Sequence, residues 1–247
     1  MKKIKTYLAN LVKLPVGVKW VFGINVSVYV ACLVVFNLFN IKLQNYLGLF
    51  PMYSDNFNPL QLITSMFTHS LGLPHIVYNM LFFLIFAPFV EKKLGTKFFI
   101  ISYFVCGFFG NVFITYNYYK IKPIIENSIE SVGVDVKDIK VSDFLVDTAY
   151  VNTLKPNQVD AVNNYNDVIS KTYGASAALF GIVLIYLLFN IVNLKKILFV
   201  CLGVYLSYGV INGFINNDII RGGSDYSHVG GMFGGLLLFV WFKIKKL

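Results

Sequence analysis

A serine set among small residues and a histidine followed by glycines can together carry out acyl transfer, provided the fold brings their side chains into contact. The serine is Ser176, in the run Gly174-Ala175-Ser176-Ala177-Ala178-Leu179-Phe180-Gly181. The histidine is His228, in Ser227-His228-Val229-Gly230-Gly231-Met232-Phe233-Gly234-Gly235. A hydroxyl is a weak nucleophile until a base takes its proton. Imidazole, with an unperturbed pKa of about 6.5, can accept that proton at neutral pH and return it to a leaving amine. Gly231 and Gly235, four residues apart, form a face that a second helix can approach closely, and Ser176 lies in an equally small-residue setting. The expectation is a Ser176–His228 hydrogen bond of about 2.6–3.2 Å. No acidic residue lies inside either predicted helix, so a dyad is expected, with an aromatic such as Phe180, four residues after the serine, holding the imidazole by packing.

Acyl transfer also needs hydrogen-bond donors for the oxyanion that develops on the carbonyl, and losing one donor typically slows the reaction by about 10² to 10³. His75 and Asn79 are spaced i, i+4 and so lie on one helix face; with the Ser176 backbone N–H they form a candidate donor set. Each residue has a plainer reading by itself. A lone serine in an apolar helix usually packs or bonds back to its own backbone, and an asparagine often only bonds to a neighbouring helix.

The elements that must position these groups are membrane helices. Of the 247 residues 57% are hydrophobic and only 13% charged, too few charges to clothe a soluble globule. The apolar runs approach the roughly 20 residues needed to cross a hydrocarbon core. Six spans are predicted, at Trp20–Phe39, His75–Val90, Phe98–Tyr118, Tyr173–Asn193, Ile197–Ile215 and Tyr226–Phe242. Charge sets their orientation. One set of loops holds Lys2, Lys3, Lys5, Lys13 and Lys19, then Lys92, Lys93 and Lys97, then Lys195 and Lys196, then Lys243, Lys245 and Lys246, with Glu91 as its sole acid. The opposite set holds every other acid, including Asp55, Glu126, Asp147, Asp218 and Asp225. Both termini are therefore expected on the cytoplasmic side, with Met1–Lys19 a basic cytoplasmic segment and 20–247 the membrane domain. The net charge of +9 is then a topology signal rather than a nucleic-acid-binding surface. The same topology puts Ser176, His228, His75 and Asn79 at the external ends of their helices.

Three external segments interrupt the bundle. Asn40–Pro74, rich in aromatic and aliphatic residues, is expected to lie in the membrane interface. Tyr119–Thr172 is read as a small extramembrane insertion with an amphipathic helical stretch at Val159–Ile169. Asn216–Asp225 is expected to be mobile. Cys32, Cys106 and Cys201 all fall inside predicted spans without metal-ligand spacing and are expected to pack as small apolar residues.

These motifs resemble those of the rhomboid family of intramembrane serine proteases. Gly174-Ala175-Ser176-Ala177 is similar to the family's G-x-S-G, with Ala177 in place of the last glycine. His228, Gly231 and Gly235 meet its H-x-x-G-x-x-x-G pattern in full. His75-Ile76-Val77-Tyr78-Asn79 meets H-x-x-x-N, and Val90-Glu91-Lys92-Lys93-Leu94-Gly95 is similar to V-E-K-x-x-G. Gln61–His69 resembles the segment leading into that helix, although His69 stands one residue further from His75 than the pattern has it. The resemblance implies an all-α, six-helix membrane core with no cofactor, in which a Ser–His dyad opens to the external side through a watery cavity. Ser176 would be the nucleophile, His228 the general base and acid, and His75 and Asn79 the oxyanion donors, while the role of His69 is left open. The implied partners are transmembrane protein substrates within the lipid bilayer of, most simply, a bacterial inner membrane; oligomeric state is left open. Two other readings compete: an inactive relative that binds transmembrane helices as a chaperone or trafficking factor, and a small-solute channel, which the absence of an internal repeat disfavours.

Overall fold

The computed structural model describes residues 14–142, 145–190, 197–216 and 223–245. It is an all-α bundle of long helices: α1 (Val16–Phe39), α2 (Leu73–Leu94), α3 (Thr96–Ser131), α4 (Ser176–Asn190), α5 (Ile197–Asn216) and α6 (Gly223–Ile244). Four stretches, Val16–Phe39, Leu73–Leu94, Thr96–Ser131 and Ser224–Ile244, are long and apolar enough to cross a membrane; α4 and Cys201–Asn212 of α5 are apolar but shorter. Large apolar side chains such as Val30, Leu81, Phe108, Val204 and Leu237 are exposed on the outer faces. Such a surface suits lipid, and the chain is an integral membrane protein. Cys32 and Cys106 are buried, Cys201 is exposed, and all three are free thiols. Lys2, Lys3, Lys5, Lys13, Lys195, Lys196, Asp218, Arg221 and most of the Asn216–Asp225 loop lie outside the described residues.

The turn between α2 and α3 shows what holds Glu91, the one acid in the lysine-rich set of loops. Its carboxylate is buried and accepts the N–H groups of Gly17 at 2.8 Å and Val18 at 2.6 Å, and the Thr96 hydroxyl at 2.6 Å. The first N–H groups of a helix have no acceptor within it, so Glu91 caps α1 from a different helix and meets the positive end of its dipole. Close approach depends on Gly17, where a Cβ would stand 2.9 Å from Phe99 Cδ1 and 3.1 Å from both Glu91 oxygens. Gly95 takes φ +81° and donates its N–H to the Glu91 carbonyl, turning α2 directly into α3.

Helix α3 departs from expectation. The third span was expected to end at Tyr118, where continuous hydropathy ends, with an insertion beginning at Tyr119. Instead the helix runs 36 residues without interruption to Ser131, about 54 Å at 1.5 Å per residue. The reason is a single apolar stripe within a polar stretch: Ile121, Ile125 and Ile129 recur at intervals of four and are all buried. They form one wall of a second small core with Val134, Ile139, Val146, Val162 and Val168. Its other walls are an antiparallel pair, Val141–Ser142 with Leu145–Val146, and helices Thr148–Val151, Pro156–Asn164 and Asn166–Ile169, the last two covering the expected amphipathic stretch.

The long first loop folds back onto the protein. Leu49 and Phe50 are fully buried, while Tyr46, Leu60 and Ile63 remain exposed. The buried Gln61 side chain accepts from the N–H groups of Phe50 and Asn58 and donates to the carbonyls of Tyr46 and Asn56. Leu49 and Thr172 exchange backbone hydrogen bonds of 2.8 and 2.9 Å, and Tyr53 donates its hydroxyl to the Val168 carbonyl at 2.7 Å. The loop thus fixes the strand that leads into α4.

Glu91→Gln keeps the shape but removes the charge that three donors share. It should cost about 2–3 kcal/mol of stability, read as a lower unfolding midpoint in detergent; an unchanged midpoint would show that the cap is dispensable.

Candidate functional site

Helix α4 lies wedged between α3 and α6, and glycine makes the fit. A Cβ at Gly231 would fall on the Ala177 carbonyl oxygen, and one at Gly235 would stand 2.6 Å from the Gly181 oxygen. A Cβ at Gly181 would strike the Cys106 sulfur, and one at Gly110 would meet the Ala177 side chain. With backbones in near contact, short side chains can meet across the interface. His228 Nε2 lies 2.8 Å from Ser176 Oγ. The imidazole rests on Phe180, ring centroids 4.4 Å apart and planes 33° from parallel, the aromatic support expected from the sequence.

Ser176 is the first residue of α4. The N–H groups of a helix's first turn lack intrahelical acceptors and carry the positive end of its dipole, so the chain opens a donor cluster at Ser176 itself. Just ahead, Gly174 takes φ +140° and donates its N–H to the Ser65 carbonyl at 2.9 Å, which ends the extended strand and aims Ser176 into the cavity.

The tautomer of His75 follows from its partners. Its Nδ1 lies 3.2 Å from the Ser70 backbone N–H and 3.2 Å from the Ser70 hydroxyl. A backbone N–H can only donate, so Nδ1 accepts and the neutral ring carries its proton on Nε2. That nitrogen faces the serine. A methyl-sized point built on Gly174 would lie 3.3 Å from His75 Nε2 and 3.6 Å from Ser176 Oγ, and both residues line the same cavity. Asn79 donates one amide hydrogen to the His75 carbonyl at 2.8 Å, leaving the second for the cavity it lines. The cavity, about 360 Å³, brings together all four residues singled out from the sequence: Ser176, His228, His75 and Asn79.

His69 does not line it. Its ring is fully buried, 5.1 Å from the His75 ring centroid and nearly edge-on to it. Burial first, and then the neighbouring His75, pushes its pKa down to about 4, so it stands as a neutral wedge behind His75.

Sequence reasoning missed other lining groups: Asn111, Thr172, Tyr173, Ser224 and Ser227. Asn111, a buried amide within a span, donates to the Leu62 carbonyl and the Ser65 hydroxyl and ties the first loop to α3; a polar residue at membrane depth was the signal available. Burial raises the Tyr173 phenol, which stays a neutral donor. The sequence reading also kept acids out of both helices. That is corrected: α6 begins at Gly223, three residues before the predicted Tyr226, so Asp225 stands in its first turn, with Oδ1 4.0 Å from His228 Nδ1.

The comparisons with known proteins agree with this architecture. The chain matches the Rhomboid domain over residues 56–125 and 148–245, and it belongs to the rhomboid family. The gap in the match falls within the second core built on the outer end of α3. No curated protein and no solved structure matches it.

If the glycine contact holds α4 and α6 together, Gly231→Ala should lower the unfolding midpoint sharply. Gly23→Ala, where a Cβ meets nothing within 4 Å, should leave the midpoint unchanged or raise it slightly. Equal effects at the two positions would contradict the packing account.

Proposed function

We propose that this rhomboid-family protein is an intramembrane serine endopeptidase that cleaves transmembrane protein substrates near the external face of the membrane. The observation that carries the reading is the 2.8 Å contact between His228 Nε2 and Ser176 Oγ inside a cavity that His75 and Asn79 also line. A non-catalytic helix-binding relative needs neither the hydroxyl nor the imidazole, and here both are present and aligned.

The chemistry follows from the geometry. As Ser176 Oγ bonds to the scissile carbonyl carbon, its proton passes to His228 Nε2 and negative charge collects on the carbonyl oxygen. The Ser176 N–H, the His75 Nε2–H and the second Asn79 amide hydrogen are the donors that would receive that oxygen, a role supported by the cavity these three residues share. Collapse of the tetrahedral adduct breaks the C–N bond, and His228 gives its proton to the departing amine. A water entering the cavity repeats the cycle with His228 as base, releasing the acid and restoring the serine. No metal or organic cofactor is called for in these steps.

A substrate helix must reach this cavity from the lipid side. α5 is suited to serve as the gate, since it packs on α4 and α6 and exposes Val204, Tyr205 and Tyr208 outward. The lysine asymmetry supports cytoplasmic termini and an external cavity.

The test is cleavage of a single-span reporter protein co-reconstituted in lipid vesicles. Ser176→Ala and His228→Ala should abolish it, and His75→Ala and Asn79→Ala should each lower the turnover by about 10²-fold. Cleavage at the parent rate by Ser176→Ala would end the proposal.

A further inference from the structure

A neutral imidazole that accepts the Ser176 hydroxyl at Nε2 must carry its own hydrogen on Nδ1. In His228 that Nδ1 is buried and has no hydrogen-bond partner among the described residues. The want of an acceptor becomes acute during reaction, when the ring takes the serine proton and turns into a cation. One carboxylate of the described residues comes within 4.0 Å of the ring, that of Asp225.

Several features fit that carboxylate to the task. Asp225 and His228 are spaced i, i+3 on α6 and share one face. Both side chains are largely buried, 21% and 17% exposed, so the attraction between them is only partly screened. Asp225 stands in the first turn of α6, where the helix dipole favours an anion. The 4.0 Å separation is too long for a hydrogen bond but about 1 Å from one, and such contacts often tighten only when substrate or transition state is bound.

We propose that Asp225 is a positioning residue for His228: its carboxylate accepts the Nδ1–H of the ring as the base becomes charged, completing a Ser176–His228–Asp225 chain of hydrogen bonds. The carboxylate takes no proton. It holds the ring in the tautomer that leaves Nε2 free to accept, and it stabilises the imidazolium until the proton leaves with the amine. This rests on the reading of Ser176 and His228 as nucleophile and base. Among the described residues, the other titratable groups facing the cavity are His75 from α2 and Tyr173 ahead of α4, while Lys120 of α3 is held by the Tyr226 hydroxyl at 3.3 Å.

The experiment measures how fast a fluorophosphonate probe labels Ser176 in the detergent-solubilised full-length protein across a range of pH. Parent, Asp225→Ala, Asp225→Asn and Asp225→Glu are compared, and each variant's unfolding midpoint is recorded. Asp225→Ala should label about 10- to 100-fold more slowly at neutral pH. The acid limb of its rate profile should move to lower pH, because loss of the anion disfavours the imidazolium. Asp225→Glu should restore the limb toward the parent position. Parent rates and an unmoved limb in all three variants would overturn the proposal. Should Asp225→Ala fail to fold, the isosteric Asp225→Asn decides: a lowered limb supports the role, and the parent limb overturns it. A parent protein that the probe does not label at Ser176 would instead overturn the protease reading, and this proposal with it.

Discussion

The site depends on how closely two helices can stand. Lipid gives apolar helices little reason to associate, so contact comes from shape, and here the shape is set by missing side chains. At Gly231 the backbone of α6 lies against the Ala177 carbonyl, and at Gly235 against that of Gly181, leaving no room for a methyl group at either position. Only at that separation can a serine and a histidine on separate helices reach 2.8 Å. Phe180 belongs to the same arrangement, since it follows Ser176 by one turn and meets the face of the imidazole.

Around that contact the protein supplies what hydrocarbon cannot. Backbone donors at the start of α4, the Ser70 N–H that fixes the His75 tautomer and the Asn79 amide create a polar pocket at the end of an otherwise apolar bundle. The pocket is held from outside. The first loop pairs with Thr172, Gly174 is anchored on Ser65, and Asn111 joins both to α3. Tyr53 links the loop to the second core at Val168, which makes that core a brace for the strand leading into Ser176. At the far end Glu91 plays the corresponding part, pinning α1 to the turn between α2 and α3.

Much of this was legible in the sequence because the constraints are local and periodic. Small residues around Ser176 and the glycines after His228 announce a close helix crossing, and His75 with Asn79 announces a shared face. What escaped notice depended on signals that hydropathy averages away. The outer third of α3 is helical because of three isoleucines in a polar stretch, and a count of apolar residues ends the helix too early. Asp225 was assigned to a loop for a similar reason: the first turn of α6 is polar, so the predicted span began one residue after it. Glu91 looked like an exception to a charge rule, and its true role required a partner 73 residues away in sequence.

The central claim is that packing between α4 and α6 turns Ser176 into a nucleophile. It is tested most directly by mapping where a serine-directed fluorophosphonate attaches to the folded protein, by peptide mass analysis, in the parent and in His228→Ala. The account predicts an adduct on Ser176 that vanishes when the imidazole is removed. An adduct confined to other serines, or one on Ser176 that forms equally well without His228, would contradict it.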